Sequence, residues 1–179
     1  MNYIKDVNLK VKDHYNVIVE ITKGTNKKYE LVEPEFDRVE CVRKVKGKYP
    51  FYYGCFPQTF AGDNDPLDMI LLTNKKYKIL DVVEVQPIGV IKTIDNGEQD
   101  DKVLVIPADE TIEHLDKIEK KVFKFLKTYK GRKANTEIFD KVFDVEEAIK
   151  VIKEAQTSNL NKEIKQVKTN TSALSVRLG

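Results

Sequence analysis

Asp63-Asn64-Asp65-Pro66-Leu67-Asp68-Met69-Ile70-Leu71-Leu72 places three carboxylates in six residues and runs straight into four apolar ones. Ionised groups held against a low-dielectric core are costly unless something positive compensates them. The stretch therefore predicts a core strand beginning at Met69 whose leading end binds a cation. Oxygen-only ligands, with no His or Cys beside them, favour a hard ion such as Mg²⁺, which keeps several waters and commonly bridges to phosphate. The plainer alternative is a turn, because Asp, Asn and Pro punctuate the approach to strands. An EF-hand loop does not fit, since it needs further ligands and a glycine where this chain has Met69 and Ile70.

Working outward, short β-rich runs dominate the first two thirds. Val17–Ile21 and Lys28–Val32 flank a turn containing Gly24 and Asn26, which predicts a hairpin or bulged pair. Val39–Val45 is a third strand with imperfect alternation. Further strands are expected at Met69–Leu72, Val82–Val85, Ile88–Ile91 and Val103–Ile106, with Pro87 and Gly89 marking a bend or bulge. Between them, Tyr49 to Asp65 holds Tyr49, Phe51, Tyr52, Tyr53, Phe56 and Phe60, a ring density that reads as a packed wall. Many short strands at this spacing point to a small barrel.

The period then changes. Ile112, Leu115, Ile118, Val122, Phe125, Leu126 and Tyr129 recur at helical spacing, so an amphipathic helix is expected over Thr111–Lys130, stopped by Gly131. A second helix starts at the N-cap Asp144, with Glu147 in the capping-box position and Val145, Ala148, Ile149 and Ile152 on its apolar stripe. One domain over 1–155 is the expectation. The Asn-, Thr-, Ser- and Lys-rich segment 156–179 is a polar extension, either disordered or an arm docking on a neighbour.

The chain's 179 residues, 41% hydrophobic, suffice for one sizeable core. A net charge of +2 despite 34% charged residues argues against a broad nucleic-acid-binding surface. Cys41 and Cys55 are too few for a disulfide framework or a zinc site. With no apolar signal core in Met1–Lys10 and no run long enough to span a bilayer, a cytoplasmic protein without a membrane partner is expected.

Misplaced-looking polar residues cluster at the strand ends: Glu20, Lys28 with Glu30, Arg43, and Asp95, Asp100 and Lys102 around Asn96-Gly97. Singly, each is more often a solvated strand face or an ordinary turn. Together, in the blocks Glu20 to Glu30, Tyr49-Pro50-Phe51-Tyr52-Tyr53-Gly54, Asp63 to Asp68 and Asp95 to Lys102, followed by Tyr129-Lys130, the chain resembles the family I soluble inorganic pyrophosphatases. The resemblance covers roughly residues 15 to 133, and the acidic block is the family's signature pattern.

The resemblance implies an α+β, mainly β fold: a five-stranded OB-like barrel with two or three packed α-helices. It implies hydrolysis of pyrophosphate to two phosphates with several Mg²⁺ ions, Mn²⁺ or Zn²⁺ being possible substitutes, in a homo-oligomer, hexamer or dimer. It gives Asp63, Asp68 and Asp100 as metal ligands, Asp95 as a ligand for a further metal, and Glu20 and Glu30 acting through metal-bound waters. Asp65 would accept the proton of the attacking water. Lys28, Arg43, Tyr129 and Lys130 would grip phosphoryl oxygens, with Lys102 and Tyr53 completing the polar wall. Such chemistry needs these residue types, because a polyanion repels an incoming nucleophile until metals and cations offset its charge.

The match has gaps. Arg38 copies the family's local Asp-Arg pair, but spacing from Glu30 favours Arg43. Thr22 and Tyr52 stand where the family usually has Pro and Asn. Lys133 matches a further basic position. Two rival functions remain: hydrolysis of another phosphoanhydride, such as short polyphosphate or a nucleotide, and a noncatalytic OB-like module stacking single-stranded nucleic acid on its tyrosines. Clustered acids repel a phosphate backbone and disfavour the second.

Overall fold

The computed structural model describes residues 1–111, 115–130 and 135–177, with side chains described for these except 115–118 and 162–177. In chain order the elements are α1 (Tyr3–Asp6), β1 (Lys10–Val11), β2 (His14–Ile21), β3 (Lys27–Leu31), β4 (Val39–Lys44), β5 (Tyr52–Cys55), β6 (Asp68–Leu71) and β7 (Val82–Asp95). They continue with β8 (Glu98–Gln99), β9 (Lys102–Pro107), α2 (Leu115–Leu126), β10 (Thr136–Phe143) and α3 (Val145–Arg177).

Five strands close on themselves. β2 pairs with β5, β5 with β6, β6 with β9, β9 with β7, and β7 returns to β2. This ring is the barrel expected from the strand spacing, and its closure leaves the five strands no open edge between them. Only β6–β9 is parallel; the other four pairings are antiparallel. Parallel strands begin at the same end, so Asp68 and Lys102, the first residues of β6 and β9, stand side by side as register partners.

Alternation sends successive residues to opposite faces of this wall. Met69, Leu71, Val103 and Val105 join Val17, Val19 and Tyr52 in one core cluster, whereas Ile70, Leu104 and Ile106 join Ile21 and Tyr53 in another. Helix α3 covers the first with Ala148, Val151, Ile152 and Ala155. Helix α2 covers the second with Val122, Phe125 and Leu126, and Tyr129 beyond its end joins them. Full burial of a side chain such as Ile152 stabilises the fold by about 2 kcal/mol. At Gly54 on β5, a Cβ would fall 1.9 Å from the Ile18 carbonyl oxygen, so only glycine lets β2 and β5 approach this closely.

Several expectations are met and others corrected. Val82 to Asp95 is one long strand whose register shifts between Pro87 and Gly89, at the anticipated bend. The rings at Tyr49, Phe51, Tyr52, Tyr53 and Phe56 are buried as a wall, but Tyr52–Cys55 within them is itself strand β5. The expected pairing of Val17–Ile21 with Lys28–Val32 does not occur: β2 is saturated by β5 and β7, and β3 pairs with β4 in a separate two-stranded sheet. Closing the barrel uses both edges of β2, which leaves β3 to find another partner.

Strand β10 lay outside the sequence expectations. Asp144 caps α3 by accepting from the Glu147 amide at 3.0 Å, yet Val145 is exposed and Val151 and Ala155 take its place in the core. The α3 backbone stays helical across residue 155 and on to Arg177. Ile112, Gly131 and Lys133 lie outside the described residues.

Candidate active site

The strand irregularities aim the polar side chains. The β2–β5 register shifts between Val19 and Ile21, so Glu20 sits at a bulge, the device that re-aims a side chain near a site. A shift between Lys28 and Tyr29 makes Lys28 the register partner of Arg43. Two like charges directly opposite each other destabilise a sheet unless an anion lies between them. Asn96 and Gly97, both with positive φ, form the two-residue turn joining β7 to β8 and place Asp95 and Asp100 on one short hairpin.

These elements enclose one cleft of about 180 Å³. Its lining includes Glu20, Lys28, Glu30, Tyr53, Asp63, Asp65, Asp68, Asp95, Asp100, Lys102, Tyr129 and Lys130. Every candidate from the sequence is there except Arg43, which lies next to it with its guanidinium 5.6 Å from the Tyr129 ring centre. Arg38 is exposed and bonded to Glu40 and Asp37, away from the lining. Glu33, Tyr29, Phe36 and Cys55 also line the cleft and were not anticipated. Glu33 follows the recognised Glu30 block by three residues and had only its charge to mark it.

At the cleft floor, Lys102 is 3% exposed and its Nζ donates to Asp68 Oδ2 at 2.5 Å and to Asp100 Oδ1. Tyr53 OH donates to the same Asp68 oxygen at 2.5 Å. Burial alone would raise Asp68, but Lys102 and Lys28 outweigh it and hold the carboxyl below its usual range. For Asp100 burial wins, aided by repulsion from Asp68, and the carboxyl is pushed up to about 6. One ammonium serves the half-buried Asp68 and the buried Asp100 and leaves them unequally compensated.

Along the wall, Lys130 Nζ donates to Asp95 Oδ2 at 2.6 Å and reaches Asp100 Oδ2 at 3.5 Å. Thr136 on β10 donates to the other Asp95 oxygen at 2.6 Å, a contact no sequence signal marked. Lys28 Nζ donates to Glu30 Oε1. Glu20 Oε1 accepts from the Leu31 amide at 2.8 Å, and burial pushes its carboxyl up to about 8 despite that bond. In the opening loop, Asp63 Oδ1 accepts from the Asp65 amide at 3.1 Å and Asn64 takes the left-handed conformation. Asp65 itself is exposed and makes no ion pair among the described residues, with its carboxyl raised first by burial and then by Glu30. The Tyr49 hydroxyl is buried without a hydrogen-bond partner among the described residues.

Eight carboxylates and three lysines line the cleft among the described residues. An all-oxygen set with surplus negative charge fits hard divalent cations and does not fit a soft ion. No three acids among the described residues converge as a finished cage.

The inorganic pyrophosphatase family model matches residues 17–159. An inorganic pyrophosphatase of Sulfolobus acidocaldarius is 40% identical over 100 residues, 55% of this chain and 58% of that protein, so the chain matches little more than half of that relative's length. One from Neisseria meningitidis serogroup B is 37% identical over 154 residues, 78% of this chain and 85% of that protein. The fold matches a crystal structure of type I inorganic pyrophosphatase from Toxoplasma gondii with a TM-score of 0.82 and 22% identity, covering 90% of this chain and 88% of that one.

Proposed function

This chain belongs to the inorganic pyrophosphatase family, and on that premise we propose that it hydrolyses pyrophosphate to two orthophosphates with Mg²⁺. The observation that carries the reading is the meeting of Asp63, Asp65, Asp68, Asp95 and Asp100 with Lys28, Lys102 and Lys130 in one cleft. Asp63, Asp68 and Asp100 would hold the metal, with Asp95 available to a further ion and Glu20 and Glu30 behind them. When bound, Mg²⁺ supplies charge compensation for the polyanion and lowers the pKa of water beside it.

The chain's own groups account for the rest. Asp65, exposed at the cleft and unpaired, accepts the proton of the attacking water as its oxygen bonds to one phosphorus and the bridging P–O bond breaks. Lys28 and Arg43, adjacent across β3–β4, hold the phosphoryl oxygens together with Tyr129, over which the Arg43 guanidinium lies, and Lys130. Arg43 offers a planar fork and the lysines point charges. Tyr53 and Lys102 fix the Asp68 carboxylate from two directions. Free Cys41 and Cys55 support placement in a reducing compartment such as the cytoplasm.

Phosphate release from pyrophosphate, tripolyphosphate and ATP, each with Mg²⁺, Mn²⁺ or Zn²⁺, tests the reading. Pyrophosphate with Mg²⁺ should give the highest kcat/KM. A preference for tripolyphosphate or ATP would move the function to another phosphoanhydride.

A further inference from the structure

Strand β8 ends at Gln99 and β9 begins at Lys102, so the ladder against β7 is interrupted at Asp100 and Asp101. Asp100 still donates its amide to the Thr93 carbonyl at 2.9 Å. The Thr93 amide, on a residue 2% exposed, donates to the Asp101 side chain, Oδ1 at 3.1 Å, and not to a strand carbonyl, while the Thr93 hydroxyl donates to the Asp100 carbonyl. Asp101 is 2% exposed as well. Its second oxygen accepts from Gln99 Nε2 at 2.6 Å and pairs with Lys92 Nζ at 3.1 Å. Lys92 also reaches Glu147 Oε1 at 2.9 Å, in the first turn of α3.

Alternation separates this residue from its neighbours. Asp100 and Lys102 line the catalytic cleft, whereas Asp101 lines a second cavity that α3 closes with Ala155 and Ser158. A fully buried carboxylate with a complete set of donors is costly to keep unless its geometry is needed. We infer that Asp101 is a positioning residue: it supplies the missing rung of the β7 ladder and thereby fixes the directions of Asp100 and Lys102. Through Lys92 and Glu147 it also fastens the start of α3 to the metal-binding hairpin. This inference rests on the proposed role of Asp100 as a metal ligand.

The test is Mg²⁺ binding to the full chain by calorimetry, which needs no turnover. Asp101→Ala should raise the Mg²⁺ dissociation constant about tenfold, at the low end of what loss of such a supporting bond costs a metal site. Asp101→Asn keeps an oxygen for the Thr93 amide and should recover most of that loss, which a general effect of destabilisation would not produce. Unchanged Mg²⁺ affinity in a folded Asp101→Ala, or an Asn variant as weak as the Ala variant, overturns the inference. If Asp101→Ala does not fold, Lys92→Met, which removes the ion pair and leaves the second oxygen only its bond from Gln99, must weaken Mg²⁺ binding severalfold, and a wild-type value overturns it. A wild-type chain that binds Mg²⁺ but releases no phosphate refutes the proposed function and leaves this comparison standing.

Discussion

Lys102 Nζ lies 2.5 Å from Asp68 Oδ2, and the two residues are register partners at the leading ends of the parallel strands β6 and β9. The same ammonium serves Asp100, so it stands among the carboxylates assigned to metal. Removing one member of a buried ion pair leaves an uncompensated charge and costs about 3–5 kcal/mol. Lys102→Met should therefore lower the melting temperature of the metal-free protein sharply. Mg²⁺, binding only the folded state, should restore more stability to the variant than it adds to wild type. Equal Mg²⁺-dependent shifts in the two proteins would show that the ammonium and the cation do not serve the same acids.

Glu20 makes metal-free stability depend on pH. Its carboxyl ionises near 4.5 in the unfolded chain and at about 8 when folded, so between these values the native state holds the extra proton. Stability is then lost as pH climbs from 4.5 to 8, by roughly 4–5 kcal/mol for this group. A glutamine in its place would keep an oxygen for the Leu31 amide and lose the titration. Glu20→Gln should thus gain on wild type in urea unfolding as pH rises from 5 to 8. A difference that stays constant over that range would remove Glu20 as the cause.

Two arginines compete for the phosphate-gripping role. Arg43 opposes Lys28 in the sheet and lies over Tyr129, while Arg38 is bonded to its exposed neighbours. A charge-assisted hydrogen bond contributes about 1.5–3 kcal/mol, which corresponds to roughly ten- to hundredfold in affinity. Arg43→Ala should raise the KM for pyrophosphate by that factor and Arg38→Ala should leave it within about twofold, as befits an exposed ion pair. The opposite ranking would restore the Asp37-Arg38 pair as the family motif.

The two thiols should differ in reactivity. Cys41 is exposed on β4, whereas Cys55 is buried and its thiol is pushed well up by burial and then by Glu20 and Asp68. A thiol reagent should modify one cysteine in the native protein and both in denaturant, since the thiolate is the reactive form. Mass spectrometry locating the native adduct on Cys55 would contradict the packing of β5 on β2.

Much of the site was legible because its chemistry is local. Asp63 to Asp68 and Asp95 to Lys102 are short runs whose charge is out of keeping with the apolar strands they join. The period change at Val122 and Phe125 likewise identified α2. What was not legible depends on distant pairing. Tyr52–Cys55 is buried on both faces and offers no alternation, so it read as loop. Lys28–Val32 alternates well enough to be a strand, but nothing in it discloses that β2 is already paired on both edges. Thr136 and Asp101 acquire their partners only when β10 and the gap between β8 and β9 are placed against β7. Spacing alone favours Arg43 over Arg38 in the sequence; that Arg43 stands opposite Lys28 depends on the register shift between β3 and β4, which no local pattern discloses.

Phosphate release from pyrophosphate by the wild-type chain and by Asp65→Asn is the most direct measurement. Wild type should release two orthophosphates per pyrophosphate with Mg²⁺ and none without a divalent cation. Asp65→Asn should lose about 10²–10⁴-fold in kcat, the usual contribution of a positioned base, while Mg²⁺ still raises its melting temperature. No phosphate release by wild type at any Mg²⁺ concentration, or full activity in a folded Asp65→Asn, would contradict the assignment.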